Sequence, residues 1–437
     1  DADARNPGRP HDRQNKWTLA LVGQDPLPLH RSLSESGIRD GDLLLLTSTR
    51  TGESPVLFDD VVDAVARLNE SQFVDWTAAS ARKVGYALAL VAAVAAAASL
   101  AAVRSGTGAL WFAGLSGLAV VGFVTASTIV SRYYRDEQSS TVLSLCAAPM
   151  AFVTGMIVTP GSYGAAHLTL GFAFALVAAV VSYRMTAAGA TAHSAVTSAA
   201  LLGATGCGAR LLIDAPVADV AAVIAAVGLL CIGLAPRTTI LLAKLPLPPV
   251  PTAGAAIDVK DIEPRPAIEG IGAIGATALP KADALERRSY LANAYLTGIV
   301  GGLTIVTAIA AVLTAAPLAG FEWRNAVYAA IIGVVLCLRG RSHSDLFQAG
   351  ILVIGGSLVV ITLITGLAFG DDQWPVIGFA LGILVVIGAL VFGVVAPNQD
   401  FSPVMRRWAE IGEYILVALI VPLLLWLLDL YRMVREI

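Results

Sequence analysis

Long runs of apolar residues, separated by short polar connections, fill the chain from residue 84 to its end. A helix that crosses a lipid bilayer needs about 20 predominantly apolar residues. The pattern therefore predicts an all-α polytopic membrane region with about eleven transmembrane helices. The predicted spans are Val84–Val103, Ala109–Val130, Thr141–Thr159, Ala165–Tyr183, Ser194–Ile213, Val217–Ala235, Leu291–Ala315, Trp323–Leu338, Leu346–Phe369, Trp374–Ala396 and Ile411–Leu430. The shortest, Trp323–Leu338, is also compatible with a re-entrant segment.

A polar, proline-containing stretch divides the spans into a block of six, over 84–235, and a block of five, over 291–437. Its seven cations are Arg237, Lys244, Lys260, Arg265, Lys281, Arg287 and Arg288. Loops rich in Lys and Arg tend to stay in the cytoplasm, so 236–290 is predicted to be a cytoplasmic loop. With a cytoplasmic N-terminus, sixteen cations of the connections lie inside and five outside. The C-terminus is then extracytoplasmic.

The residues before the first span follow a different pattern. The charged segment 1–15 is typical of a disordered tail or linker. Apolar residues alternate with polar or small ones over Trp17–Gly23, which predicts a half-buried strand, and Leu43–Leu46 predicts a second strand buried on both faces. We therefore expect a small α+β domain over 16–58. A helical period over 59–83 predicts a linker helix that runs to the membrane surface or packs only on the small domain.

Composition narrows the class of protein further. Hydrophobic residues make up 56% of the chain and charged residues 14%, whereas soluble proteins carry about 25% charge. The net charge of −3 gives no reason to expect a nucleic-acid partner. The four cysteines lie far apart within apolar runs, so neither a metal pair nor a disulfide framework is predicted. The first eighty residues are polar and open with no signal peptide, so we expect the first span to insert by itself.

The sharpest motif match is the GIGAIG sequence of Gly270–Gly275, which fits GxGxxG. A dinucleotide site needs a strand before this motif and a helix after it. Here Pro264 and Pro266 precede the motif and Pro280 interrupts any following helix, so a flexible loop is favoured. The sequence contains no GxxxxGK[ST] phosphate loop, which excludes ATP hydrolysis by that route.

Catalytic chemistry is not predicted, because the five histidines are scattered and none has HExxH spacing. We expect no catalytic residue, no cofactor and no metal, and hence no enzyme. A proton- or ion-coupled transporter would place ionisable residues deep in its spans. The middle thirds of the predicted spans contain no Asp, Glu, Lys, Arg or His. This argues against a coupled antiporter and leaves open a transporter of neutral or lipid-like solutes.

Small residues are frequent in the spans and let helix backbones approach closely. Three GxxxG spacings mark candidate helix-packing positions, although such spacings also arise by chance in a glycine-rich chain. The candidates are Gly298, Gly302, Gly366, Gly370, Gly378 and Gly382.

Two features together carry a resemblance to a known family. The N-terminal order of strand, LSESGI turn, DGD turn and strand is similar to the second half of a ubiquitin-like β-grasp domain, with a generic α+β domain as the alternative. With eleven spans and a basic loop after the sixth, the chain resembles EccD, the polytopic membrane subunit of actinobacterial type VII (ESX) secretion systems. The strings that carry this resemblance are GIRDGDLLLL, LAKLPLPPVP, LRGRS and SPVMRRWAEIGEYI.

The resemblance implies a multi-pass protein of the bacterial inner membrane. It implies partners similar to EccB, EccE and the FtsK-like ATPase EccC, besides membrane lipids and a second copy of the chain that pairs with the first to enclose a lipid-filled space. It also implies that the ubiquitin-like domain braces the ATPase. The first half of that domain is expected to be missing from this chain.

Two functions follow as hypotheses. The first is a structural scaffold of a protein-export machine, and the second is a transporter of neutral or lipid-like solute regulated by a cytoplasmic domain. For the scaffold, the cations of the central loop are candidates for docking neighbouring cytoplasmic domains, with Arg287 and Arg288 as the specific prediction. The alternative role of those cations is to hold the loop inside by charge alone.

Overall fold

A computed structural model shows two units, Asp1–Ser80 and Ala81–Ile437. The residues it describes are 15–21, 27, 38, 42–50, 76–102, 109–245, 282–317, 322–370, 374–395 and 402–435. The predicted tail before Asn15, most of the predicted linker helix, the GIGAIG motif and most of the central loop lie outside these residues.

The first unit contains an antiparallel pair of strands, β1 (Asn15–Leu21) and β2 (Leu44–Arg50). Leu19 lies opposite Leu46 in the ladder. The amide of Leu27 donates a 2.8 Å hydrogen bond back to the carbonyl oxygen of Leu19. Both strands fall where the alternating and apolar patterns placed them, although β2 runs on to Arg50.

The prediction that the second strand is buried on both faces is wrong. Leu45 and Leu46 point to opposite faces, and they are 47% and 50% exposed. Among the described residues β2 pairs with β1 alone, and a two-stranded ladder has little of its own to cover either face. An apolar run therefore indicated a strand here without indicating its burial.

The described residues contain eleven helices long and apolar enough to cross a membrane, which confirms the predicted number. They are α1 (Ala78–Ala101), α2 (Ala109–Ile129), α3 (Glu137–Val158), α4 (Ala165–Thr186), α5 (Ala190–Leu212), α6 (Val217–Leu242), α7 (Ala282–Ala315), α8 (Trp323–Gly340), α9 (Leu346–Gly370), α10 (Pro375–Leu390) and α11 (Pro403–Leu427). A short helix, α12 (Leu430–Arg435), follows α11. Single π-helical segments, Val130–Tyr134 and Val391–Val395, extend α2 and α10.

The first helix of the second block, α7, is the centre of the bundle. It packs on α5 and α6 of the first block and on α8 and α9 of its own block. The largest apolar core joins α7 to α6, α8, α9 and α11 and contains Val300, Ile332, Leu336 and Leu352, all fully buried. The two blocks of spans are therefore one packed body rather than two bundles joined by a loop.

The shortest span, α8, lies inside this core. Tyr328, Ala329 and Ile332 are fully buried, and the Tyr328 hydroxyl donates a 2.7 Å hydrogen bond to the carbonyl oxygen of Ala222 on α6. With 18 residues it is long enough to span, so the re-entrant alternative is not what the structure shows. Neighbouring helices rather than lipid surround much of α8, which explains its modest hydropathy.

The close packing of α7 against α5 depends on two glycines. A Cβ atom added at Gly298 would collide with the carbonyl oxygen of Thr191, and one at Gly302 with the carbonyl oxygen of Ala195. Only glycine leaves room for backbones to approach this closely. In contrast, a Cβ at Gly382 on α10 would meet no atom within 4 Å.

We expect Gly302→Ala to lower the stability of the membrane unit by about 1–3 kcal/mol, because α7 must move away from α5 to admit the methyl group. The matched change Gly382→Ala adds the same methyl group in open space, where alanine is the better helix former. The midpoint of thermal unfolding in detergent should fall by several degrees for the first variant and not for the second. Equal midpoints would contradict the close approach seen at Gly302.

Candidate functional site

Successive spans run in opposite directions, so the odd-numbered helices begin, and the even-numbered ones end, at the same end of the bundle. This end, called the basic end below, holds most of the described cations. They are Arg82, Lys83, Arg132, Arg135, Arg184, Arg237, Lys244, Arg287, Arg288, Arg339, Arg341, Arg406 and Arg407. The described cations at the opposite end are Arg210, Arg324, Arg432 and Arg435.

Side-chain contacts at the basic end join the first four helices in pairs. The Tyr86 hydroxyl of α1 lies 2.6 Å from the Ser139 hydroxyl of α3. Asp136 caps α3 by accepting from the Ser139 amide at 3.1 Å and from its hydroxyl at 2.7 Å. These Ser139 bonds, chiefly the one from the hydroxyl, lower the pKa of Asp136, and Arg82 at 3.9 Å adds to the effect. Arg132 beyond α2 donates to the carbonyl oxygen of Met185 at the end of α4.

Two polar contacts tie α7 to the helices around it. Tyr295 of α7 and Tyr183 of α4 share a 2.8 Å hydrogen bond between their hydroxyls. The side-chain amide of Gln348 on α9 donates to the Asn293 oxygen at 2.8 Å and to the Thr297 hydroxyl at 2.9 Å, both on α7. The buried amide of Gln348, paired in this way, fixes the register of α9 against α7.

The two ends of the central loop are fixed next to each other. The guanidinium of Arg288 on α7 donates a 3.1 Å hydrogen bond to the carbonyl oxygen of Lys244, just past α6. Lys244 has a positive φ of 51°, so the chain turns sharply where it leaves α6. A cation at this position also complements the partial negative charge at the helix C-terminus. Arg287, its neighbour, is exposed.

One carboxylate at the basic end is almost fully buried and is held by two arginines. Glu413 of α11 is 6% exposed. It accepts a 3.0 Å bond from Arg339 and a 3.1 Å bond from Arg341, which flank the end of α8. A buried carboxylate is costly unless such partners neutralise it. This ionic cluster fastens α11, a helix with few other buried residues, to the core.

The prediction that the middle thirds of the spans lack ionisable residues holds within the predicted bounds Ile411–Leu430 but not within the longer helix α11. Its helix starts at Pro403, eight residues before the predicted span, because Ser402 caps it and proline suits the first turn. Glu413 is therefore inside the helix rather than near its start. In the other described spans, the middle third of each helix contains no Asp, Glu, Lys, Arg or His. Among the described residues, no three His, Cys, Asp or Glu side chains form a metal site.

The other glycines singled out from the sequence occupy different environments. A Cβ at Gly366 would collide with Pro317, and one at Gly378 would lie 2.6 Å from the Cβ of Ala368 on α9. Only the helical backbone of Gly370 is described. Gly382 does not pack on a neighbouring helix of this chain, because its side of α10 is open.

The ionic cluster of Glu413, Arg339 and Arg341 was missed by the sequence analysis. All three residues stood near predicted helix ends, where charges normally reach water. The available signal was weak: LRGRS at the end of α8 places two arginines two residues apart, and the chain returns to the same end of the bundle at α11. Nothing in the sequence alone brings α8 next to α11.

Comparison with known families identifies the membrane unit. Residues 81–437 match the family model of the EccD-like transmembrane domain. The chain belongs to the EccD family. Residues 2–46 match the model of YukD, a protein of the WXG100 protein secretion system, which agrees with the ubiquitin-like domain predicted ahead of the spans.

Relatives named as secretion-system proteins align with nearly all of this EccD chain. It is 28% identical to ESX-1 secretion system protein EccD1 of Mycobacterium tuberculosis over 97% of this chain and 85% of the relative. It is 29% identical to ESX-4 secretion system protein eccD4 of the same species over 97% of this chain and 88% of the relative. It is thus a multi-pass membrane protein of the type found in ESX secretion systems.

Solved structures share the fold. A chain from protomer 1 of the ESX-3 core complex superposes with a TM-score of 0.63 at 20% identity and covers 96% of this chain and 91% of its own. A chain of the MycP5-free ESX-5 inner membrane complex gives a TM-score of 0.60 at 19% identity, covering 87% of each. At these identities the likeness concerns the fold alone.

We expect Glu413→Gln to destabilise the membrane unit by about 3 kcal/mol, at the low end of the cost of breaking a buried ion pair, because the side chains of Arg339 and Arg341 are 31% and 39% exposed. Glu410→Gln is the matched control. Glu410 pairs with Arg407 at the surface, where such a pair contributes about 0–1 kcal/mol. Thermal unfolding followed by tryptophan fluorescence compares the two variants. A loss no greater for Glu413 than for Glu410 would contradict the structural role of the cluster.

Proposed function

We propose that this EccD chain is a structural subunit of the membrane core of a type VII (ESX) secretion complex in the bacterial inner membrane. The observation that carries the proposal is the family match over the whole membrane unit, 81–437. The relatives are named as ESX secretion system proteins. In this role the chain holds other subunits in place and catalyses no reaction itself.

The internal geometry supports a holding role. The spans pack through small residues and fully buried apolar side chains, as at α7 against α5. Within the described residues, most side-chain contacts between distant parts of the chain lie at the basic end and link helix to helix. Such contacts stiffen one end of the bundle, which suits a platform for neighbouring chains.

The orientation that we propose follows from charge. The basic end carries most of the described cations, and cations next to spans favour the cytoplasmic side. The basic end is then cytoplasmic, together with the N-terminal unit and the central loop. An odd number of spans places the C-terminal helix α12 on the opposite, extracytoplasmic side.

We further propose the partners that the family resemblance implies. These are a second copy of the chain and chains similar to EccB, EccE and the ATPase EccC, with the ubiquitin-like domain bracing the ATPase. Large apolar side chains of α10, including Phe379 and Phe392, are exposed, and α10 packs mainly on α9. This outer face is available for lipid or for a second copy.

Co-purification tests the scaffold role. Tagged chain, drawn from native membranes with a mild detergent, should bring with it a differently tagged second copy and chains similar to EccB and EccC. Mass spectrometry of the eluate identifies them. Recovery of the chain alone as a monomer, from membranes in which those chains are present, would overturn the proposal.

A charge reversal tests the docking role of the loop base. Arg287→Glu combined with Arg288→Glu should lower the yield of co-purified cytoplasmic partner by about fivefold or more, since each surface contact between opposite charges contributes up to about 1 kcal/mol. Arg287→Glu alone keeps the bond from Arg288 to Lys244. A lower yield with this single variant therefore reflects lost docking rather than a change in local structure. Arg435→Glu, at the opposite end, is the control and should leave the yield unchanged. An unchanged yield in the double variant would contradict the docking role and would leave only the alternative, in which these cations hold the loop inside by charge alone.

A further inference from the structure

Three helices, α6, α8 and α11, meet at the basic end around one guanidinium. These helices pack on one another in all three combinations. Arg339 of α8 reaches Glu413 of α11 at 3.0 Å. Its other terminal nitrogen lies against α6, where a Cβ added at Gly233 would be only 2.6 Å away. The absence of a side chain at Gly233 therefore lets the arginine lie between α6 and α11.

Further arginines surround this junction without a matching number of acids. Arg237 follows Gly233 by four residues, which puts it on the same face of α6, one turn nearer the basic end. Arg406 precedes Glu413 by seven residues and shares its face of α11, about 10 Å nearer the same end. Arg237 and Arg406 are both exposed.

Among the described residues, the charge balance of the junction is strongly positive. Glu413 is shared by Arg339 and Arg341, and Glu410 is paired with Arg407. The next acidic residue after α8, Asp345, accepts from the amides of Phe347 and Gln348 at the start of α9. Among the described residues, the Arg341 guanidinium donates one hydrogen bond, to Glu413, while a guanidinium has five N–H groups. The junction therefore holds more positive charge and more donors than its acids satisfy.

From Gly233, Arg339 and Glu413 the junction extends through Arg237 and Arg406 toward the end of α6 and the start of α11. Aromatic residues indicate that this outer part lies near the level of lipid headgroups. Trp408 and Tyr414 of α11 are 68% and 60% exposed, and aromatic residues of this kind mark the level of lipid headgroups. The planar guanidinium group matches the geometry of phosphate, and anionic lipids attract basic residues at the membrane surface.

We propose that the junction of α6, α8 and α11 binds the headgroup of an anionic glycerophospholipid through Arg237, Arg341 and Arg406. Arg339 and Glu413 position the site rather than occupy it. The lipid phosphate balances the excess positive charge of the described residues here, and its acyl chains lie along the exposed apolar side of α11. A bound lipid would then stabilise the attachment of α11 to the core.

Native mass spectrometry of the purified full chain tests the site. Delipidated protein is titrated in detergent with phosphatidylglycerol or with phosphatidylcholine, and the retained lipid and the thermal midpoint are measured. We expect tighter retention of phosphatidylglycerol and a rise of several degrees in the midpoint with that lipid only. The variant Arg237→Gln with Arg406→Gln should bind it at least about tenfold more weakly, since each cation near an anionic surface contributes about a fivefold effect.

The control is Arg210→Gln with Arg435→Gln, which removes the same charge from the opposite end of the bundle. It should bind phosphatidylglycerol as the unchanged chain does. Equal retention of both lipids by the unchanged chain, or equal loss in the two double variants, would overturn the proposal. Inorganic phosphate alone, if it raised the midpoint as much as the lipid, would show a free-anion site and would also overturn it.

Discussion

The close approach of α7 to the first block of spans is the contact on which the rest of the membrane unit depends. Apolar side chains gain little by leaving lipid for a helix interface, so helices associate in membranes mainly by tight packing and interhelical hydrogen bonds. Gly298 and Gly302 allow that packing against α5, and Tyr328 and Gln348 add hydrogen bonds around the same centre. Because α7 also contacts α6, α8 and α9, one helix orders both blocks.

Polar chemistry in this chain is concentrated at one end of the bundle. Hydrocarbon cannot satisfy polar groups, so they either pair internally or reach the interface. The Ser139, Tyr295, Asn293 and Arg288 contacts all lie at the basic end. The Glu413 cluster shows the same rule at greater burial, since a carboxylate inside a helix is neutralised by two arginines that flank the end of a neighbouring helix.

These features support the scaffold role that we propose. A bundle tied together at its basic end presents exposed cations to whatever lies beyond that surface. Arg287 and Arg406 are examples of such cations, and neither forms an ion pair with a carboxylate within the described residues. A proteinaceous partner at the loop base and a lipid at the junction of α6, α8 and α11 would use different cations, so both contacts can exist in one complex.

The sequence by itself determined the number of spans, their approximate bounds, the basic side and the family. Each of these depends on local quantities: apolar length set by bilayer thickness, charge next to each span, and short strings such as SPVMRRWAEIGEYI. Tertiary structure alone decided which helices touch. It selected Gly298 and Gly302 over Gly382 as internal packing sites, left Leu45 and Leu46 exposed in β2, and brought Arg339 to Glu413 across 74 residues. Periodicity within a span describes one helix at a time, whereas such contacts depend on the positions of two helices relative to each other.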